Sequence, residues 1–242
     1  MIQTIYIIIL VYFLFGSVGF YFSNRKKEKA AARKSWIKFG TYFGIINILF
    51  FSIVINPVVF QVLSVAIIGV GIFELVKLFK NSEFKNKKFF FFAIAMFGIF
   101  ATGFIIFGSL DKGIILFSFI ILSIFDSFSQ ITGQLWGRKK IAPKISPNKT
   151  VGGVIGGATI AILSSLLLKN LLDTEIIKTI LLTIGVVVFA FAGDIVASFY
   201  KREYGVKDYS NLILGHGGFL DRFDSLIAGG AWVALTVYGF NF

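Results

Sequence analysis

The feature that most constrains the fold of this chain is a succession of long apolar segments separated by short loops. A transmembrane helix needs ~20 predominantly apolar residues. Eight segments have this character, at residues 2–22, 39–56, 58–79, 88–109, 113–136, 152–172, 178–200 and 225–241. The sequence therefore predicts an all-α, polytopic integral membrane protein with about eight transmembrane helices.

Composition excludes several other classes of protein. Hydrophobic residues make up 57% of the 242 positions and charged residues only 15%, whereas soluble domains have ~45–50% and ~25%. These values argue against a soluble enzyme, against disorder and against a nucleic-acid-binding protein, despite a net charge of +12. The chain has no cysteine and one histidine, so any metal must bind mainly to oxygen ligands.

The distribution of basic residues predicts the topology. Nearly all of the 24 Lys and Arg residues fall in alternate loops, which the positive-inside rule places in the cytoplasm. Both termini are therefore expected to be extracytoplasmic. No basic residue precedes the first segment, and Arg25, Lys26 and Lys27 follow it. Because this order is the reverse of a signal peptide, we expect a retained helix.

The polar residues divide the chain into two parts of a single membrane domain, residues 1–242. Residues 1–110 consist almost entirely of apolar segments and basic loops, whereas residues 111–242 carry most of the candidate catalytic groups. Glu74 is an exception in the first part. Lys77 lies three residues further on, within reach on the same helical face, so we expect a local ion pair there rather than a site.

The first candidate site residue of the second part is Asp126, inside the fifth apolar segment. Ser123, Asp126, Ser127 and Gln130 fall near one helical face because of their spacing. A carboxylate at that depth is costly and usually faces a protein interior or a wet cavity. We therefore expect a role in the site, the alternative being a structural polar contact between helices.

A glycine-rich segment follows a basic loop. Ser146, Lys149 and Thr150 lead into Gly152-Gly153 and Gly156-Gly157. Backbone N–H groups at a helix start, beside Lys and Thr, can bind phosphate, although the Walker A order is absent. The alternative is a packing helix whose glycines let a neighbouring helix approach closely. The residues alone leave both interpretations open.

Acidic and basic residues then alternate towards the C-terminus. Asp194, Ser198 and Lys201 share one helical face. Asp221 and Asp224 are three residues apart and converge if their segment is helical. Carboxylates beside Lys, Arg and glycine-rich backbone are the groups that bind a divalent metal together with phosphate.

At these residues the sequence resembles the phosphatidate cytidylyltransferase family, also called the CDP-diglyceride synthases. The family signature has a Ser, then Lys-Arg, Lys-Asp, His-Gly-Gly and Asp-Arg-x-Asp. Its elements here are Ser198, Lys201-Arg202, Lys207-Asp208, His216-Gly217-Gly218 and Asp221-Arg222-Phe223-Asp224. A second family motif matches Ser146 to Thr150, followed by Gly156-Gly157. The chain departs from the family pattern at Ser129-Gln130, Gly152, Tyr200 and Leu214.

The resemblance implies that CTP and phosphatidate react to give CDP-diacylglycerol and pyrophosphate, in phospholipid biosynthesis. The implied catalytic residues are Asp194, Asp221, Asp224, Lys201 and Arg202, and the three aspartates would bind Mg²⁺. The implied substrate-binding residues are Asp126, Ser146, Lys149, Thr150, Ser198, Lys207, Asp208, His216, Gly217, Gly218 and Arg222. The resemblance also implies a homodimer and a monovalent cation such as K⁺.

Two other functions remain compatible with the residues. One is a related CTP-dependent lipid enzyme, either a cytidylyltransferase for another lipid phosphate or a polyprenol-type kinase, because metal-assisted phosphoryl chemistry suits both. The other is a transporter of an anionic substrate, which would also use an intramembrane aspartate, although no inverted repeat is visible. For the cytidylyltransferase we expect a bacterial-type plasma (inner) membrane, with the active site on the cytoplasmic side.

Overall fold

The computed structural model describes residues 2–25, 28–213 and 217–239, and this part of the chain is mainly helical. The helices are α1 (Ile2–Asn24), α2 (Lys29–Ile55), α3 (Pro57–Asn81), α4 (Lys87–Phe107), α5 (Lys112–Trp136), α6 (Val151–Leu168), α7 (Ile176–Glu203) and α8 (Leu220–Gly239). Two short strands, β1 (Lys140–Ala142) and β2 (Ser146–Thr150), form an antiparallel hairpin between α5 and α6. A single 3₁₀ turn, Lys169–Leu171, follows α6.

The structure confirms an all-α membrane protein, with the small hairpin as an addition. Seven helices in the described part of the chain are long and apolar enough to cross a membrane, namely α1 to α7. The eighth predicted segment is also a helix, but α8 does not meet the same criterion. It begins at Leu220, so its first turns include Asp221, Arg222 and Asp224, and much of it is buried against α4 and α7.

Local capping groups explain where several helices begin. Asn56 accepts a hydrogen bond from Val58 N at 2.9 Å, and Pro57 is the first residue of α3. Proline suits that position because it has no N–H to leave unpaired. Asp111 accepts a hydrogen bond from Gly113 N at 2.7 Å at the start of α5. These side chains pair backbone groups that have no partner within the helix.

Glycines bring α5 and α6 into close contact. A Cβ atom on Gly157 would lie 2.8 Å from the Ser129 Cβ and 2.9 Å from the Phe125 carbonyl oxygen. A Cβ atom on Gly156 would lie 2.7 Å from the Thr132 Cβ. Small residues allow such an approach between helices in a membrane. The structure thus supports the packing interpretation for Gly156 and Gly157.

A second close contact joins α7 to α8. A Cβ atom on Gly193 would lie 2.5 Å from the Ala228 Cβ and 2.9 Å from the Asp224 carbonyl oxygen. On the opposite side of α8, a Cβ atom on Gly230 would lie 2.8 Å from ring atoms of Phe104 in α4. Because α8 packs closely against two spanning helices, the position of its N-terminal turn is determined by the rest of the bundle.

We expect Gly157→Ala to destabilise the protein by about 1–3 kcal/mol, because the added Cβ would overlap Ser129 and the Phe125 carbonyl, so that α5 must move to accept it. Thermal unfolding in detergent micelles measures this loss. Gly98→Ala in α4 is the matched control, since no heavy atom lies within 4 Å of an added Cβ there. Equal stability of the two variants would contradict the close α5–α6 packing.

Candidate active site

The centre of the candidate site is an ion pair between the β hairpin and α7. The Lys149 ammonium contacts Asp194 Oδ2, and the Ser198 hydroxyl donates a hydrogen bond to Asp194 Oδ1 at 3.3 Å. The Lys149 Nζ also lies 5.5 Å from the centre of the Phe191 ring. The side chains of Lys149 and Asp194 remain 23% and 25% exposed, so a polar ligand can reach this pair.

Negative charge from three helices acts on Lys149. Burial lowers the pKa of the Lys149 ammonium, but the charge and hydrogen bond of Asp194, together with the charges of Asp126 and Asp224, outweigh burial and raise it. Lys149 is therefore a cation at neutral pH. Asp126 and Asp194 each lie about ten residues before the end of a helix, or roughly 15 Å along its axis. The tertiary structure thus brings together four of the candidate site residues, Asp126, Lys149, Asp194 and Asp224.

A second ion pair is more deeply buried. Lys201 Nζ contacts Asp221 Oδ1, with side-chain exposures of only 9% and 3%. Asp221 Oδ2 accepts hydrogen bonds from Tyr209 N at 3.0 Å and from Gly218 N at 2.8 Å. Both carboxylate oxygens of Asp221 therefore have protein partners, and Asp221 holds parts of the loop between α7 and α8 (residues 204–219, called the α7–α8 loop) against α7.

Backbone conformation and lack of space explain why residue 217 of the Gly217-Gly218 motif is a glycine. Gly217 has a φ of +86°, a conformation that side chains with a Cβ rarely adopt. A Cβ atom there would also lie 2.9 Å from the Asp208 Cβ. Asp208 and the neighbouring Lys207 are exposed, which leaves them accessible to a ligand. His216, which was predicted to bind substrate, lies outside the described residues.

Two other residues that were predicted to lie in the site, Arg202 and Thr150, form hydrogen bonds with backbone groups of the protein. Arg202 donates to the Ile145 carbonyl at 3.2 Å and to the Val206 carbonyl at 2.7 Å, so it joins the hairpin to the α7–α8 loop. Thr150 is buried and caps α6 by accepting from Gly153 N at 3.1 Å. Ser146 is half-buried and Arg222 is exposed. Contacts of these four side chains with a substrate stay predictions.

The expected pairing of Glu74 with Lys77 is wrong. Glu74 is completely buried. Its Oε1 accepts from Phe219 N at 2.8 Å and from the Ser210 hydroxyl, and its Oε2 accepts from Leu220 N at 2.6 Å. The partners come from the α7–α8 loop and α8, about 140 residues later in the chain, so no local pattern identifies them. The sequence did contain one indication that Glu74 is buried among polar partners, because it is a carboxylate within an apolar helix.

The carboxylates suit a magnesium ion that shares its ligands with a substrate. In the described part of the chain, no three carboxylate, His or Cys side chains are arranged to hold a metal by themselves. Asp194, Asp221 and Asp224 therefore do not form a preformed three-ligand cluster. Mg²⁺ commonly binds one or two carboxylates plus water and substrate phosphates. Asp194, which is paired with Lys149, and Asp224, whose Oδ1 accepts from Ser225 N, carry carboxylate oxygens of this kind.

Comparison with known proteins agrees with this chemistry. A sequence model described as the cytidylyltransferase family matches residues 2–240, which is nearly the whole chain. The chain belongs to the cytidylyltransferase family. A phosphatidate cytidylyltransferase of Staphylococcus aureus is 32% identical over 212 residues, which is 82% of this chain and 80% of that protein.

Other relatives match over a shorter region. Phosphatidate cytidylyltransferases of Staphylococcus saprophyticus and Haemophilus influenzae are each 42% identical, over 115 and 121 residues. The chain spans 44% and 42% of the length of those two relatives. Membership of this family does not favour the lipid kinase or the transporter that the sequence left open.

We expect Lys201→Met to destabilise the protein by about 3–5 kcal/mol, because it leaves the Asp221 carboxylate buried without its cation. Denaturant unfolding in detergent micelles measures the change. Adding Asp221→Asn to Lys201→Met removes the unpaired charge and should restore part of the loss. A double variant that is at least as unstable as the sum of the two single variants would contradict a direct ion pair.

Proposed function

We propose that this protein is a phosphatidate cytidylyltransferase that forms CDP-diacylglycerol and pyrophosphate from CTP and phosphatidate. The observation that carries the proposal is the cluster of Asp126, Lys149, Asp194 and Asp224 in a membrane protein of the cytidylyltransferase family. Both substrates are polyanions, and one of them is a lipid. A partly exposed lysine among carboxylates between membrane helices is suited to receive such groups.

The proposed reaction needs no protein nucleophile. An oxygen of the phosphatidate phosphate attacks the α-phosphorus of CTP, a new P–O bond forms, and the bond to the bridging α–β oxygen breaks. The electron pair of that bond leaves with pyrophosphate. A phosphate monoester is already anionic near neutral pH, so the main barrier is the approach of two polyanions. Cationic side chains lower this barrier by stabilising charge around the transferring phosphorus.

Lys149 is the residue that we assign to substrate phosphate. In the structure its ammonium is paired with Asp194, and a phosphate oxygen is the kind of anion that can replace this carboxylate. That exchange would free an oxygen of Asp194. The exposed Lys207 and Arg222 are further candidates for contacts with phosphate.

We assign Asp194 and Asp224 to Mg²⁺, with Asp126 close enough to add negative charge. Bound Mg²⁺ would neutralise phosphate charge and orient the leaving group. Asp221, the third aspartate predicted as a ligand, would have to give up a contact with Lys201, Tyr209 or Gly218. The proposal also includes a K⁺ requirement, a homodimer and an active site on the cytoplasmic side of the plasma membrane. It places both termini outside the cytoplasm, which requires α8 to cross the membrane as an eighth span. The distribution of basic residues among the loops supports this topology.

The direct test uses purified protein in mixed micelles with phosphatidate, labelled CTP and Mg²⁺. We expect CDP-diacylglycerol and pyrophosphate in equal amounts, and no product with excess EDTA. Chromatography of the lipids and a pyrophosphate assay measure the two products. Lipid phosphate and CDP from an unphosphorylated lipid acceptor would instead identify a kinase, and folded protein without turnover would refute the proposed substrates.

We expect Lys149→Ala to lower kcat/KM for CTP by about 10²–10³-fold, as for the loss of one positioned charge at a phosphoryl site. Steady-state kinetics with saturating phosphatidate measures this effect. Lys144→Ala is the matched control, because Lys144 lies in the same hairpin, is exposed and makes no ion pair with described residues. Equal kinetics in the two variants would remove Lys149 from the site.

A further inference from the structure

We propose that Glu74, in the part of the chain without signature motifs, is a positioning residue for the active site. It acts through the α7–α8 loop and the first turn of α8, which carry Gly217, Gly218, Asp221 and Asp224. This inference rests on the proposed function, since positioning is defined with respect to nucleotidyl transfer.

The first argument is the set of Glu74 partners. A buried carboxylate is expensive unless its oxygens receive hydrogen bonds. The Glu74 carboxylate receives them from Phe219 N, Leu220 N and the Ser210 hydroxyl. All three donors belong to the α7–α8 loop or to the first residue of α8. None of the donors is on α3, so the energy of these bonds depends on where the loop lies.

The second argument is the place where Glu74 and Asp221 meet. A Cβ atom on Gly218 would lie 2.8 Å from Asp221 Oδ2 and 2.9 Å from Glu74 Oε1. One glycine therefore lies between two carboxylates from different helices. Asp221 binds the N–H of Gly218 and Glu74 binds the next two, of Phe219 and Leu220. Three successive N–H groups at the start of α8 are thus satisfied by these two side chains.

The third argument is the attachment of α3, at the residue after Glu74, to α7. The Tyr200 hydroxyl donates to the carbonyl of Leu75, the residue after Glu74, at 2.9 Å. Tyr200 precedes Lys201, which is paired with Asp221. The end of α3 is therefore held on the helix that carries Asp194 and Lys201. A change at Glu74 should move the start of α8 relative to α7, and with it Asp224 relative to Asp194.

Glu74→Gln keeps the size of the side chain and removes its charge. The Gln amide presents N–H groups where Leu220 N or Phe219 N needs an acceptor, so one donor stays buried and unpaired. A misplacement of about 1 Å can cost about 10²-fold in rate. We expect kcat per folded protein to fall by about 10²-fold, with a change below about threefold in KM for CTP, because Glu74 makes no contact with the proposed phosphate ligands.

The controls separate positioning from charge and from folding. Glu203→Gln makes the same chemical change at a half-buried glutamate of α7 that, among the described residues, accepts a hydrogen bond from Asn86, and kcat should not change. Ser210→Ala removes one donor and leaves both backbone donors, so its effect should be smaller than that of Glu74→Gln. Glu74→Asp keeps the charge and should have a higher kcat than Glu74→Gln. This variant is the alternative test if Glu74→Gln is poorly folded.

A second readout does not require turnover. Amide hydrogen exchange, measured by mass spectrometry in detergent micelles, should increase at residues 217–221 of Glu74→Gln and stay unchanged in α6. If wild-type protein has no activity but this exchange increases, the proposed function fails, whereas the finding that Glu74 holds the start of α8 in place stands without any catalytic role. Unchanged exchange at residues 217–221, or unchanged kcat per folded protein in an active enzyme, would overturn the role of Glu74.

Discussion

The start of α8 depends on hydrogen bonds from backbone N–H groups to two buried carboxylates. Asp221 and Glu74 accept from Gly218, Phe219 and Leu220, and Asp221 is also paired with Lys201. Buried acceptors and donors that lose their partners are costly, so these contacts determine one position for the turn. Because α8 packs between α4 and α7, the same contacts determine where Asp224 lies beside Asp194.

The membrane explains why the polar groups are arranged in this way. In a membrane environment backbone polar groups must be paired within helices, and charged side chains are tolerated mainly in a protein interior or a wet cavity. Glu74 and Asp194 satisfy this requirement in different ways. Glu74 is completely buried and accepts hydrogen bonds from protein donors, whereas Asp194 is partly exposed and is paired with Lys149. The first arrangement suits structure and the second suits binding.

Helix contact through glycine supports both arrangements. Gly193 allows α8 to approach α7 next to Asp194 and Asp224, and Gly156 and Gly157 allow α6 to approach α5 below the hairpin that carries Lys149. The residues of the site thus come from α5, the hairpin, α7 and α8. Their spacing is determined by contacts between helices, which agrees with a site that orients two large anionic substrates.

The sequence by itself determined the class of protein, because apolar segments of about 20 residues can only be membrane helices when they recur through a whole chain. It also included Asp126, Lys149, Asp194 and Asp224 among the candidate site residues, since only 12 of the 242 residues are acidic and their positions stand out. Tertiary structure decided the contacts of Glu74 and Asp221, and it decided that much of α8 is buried against α4 and α7. These outcomes depend on backbone N–H groups and on helix contacts between residues far apart in the chain, and neither is encoded in local spacing.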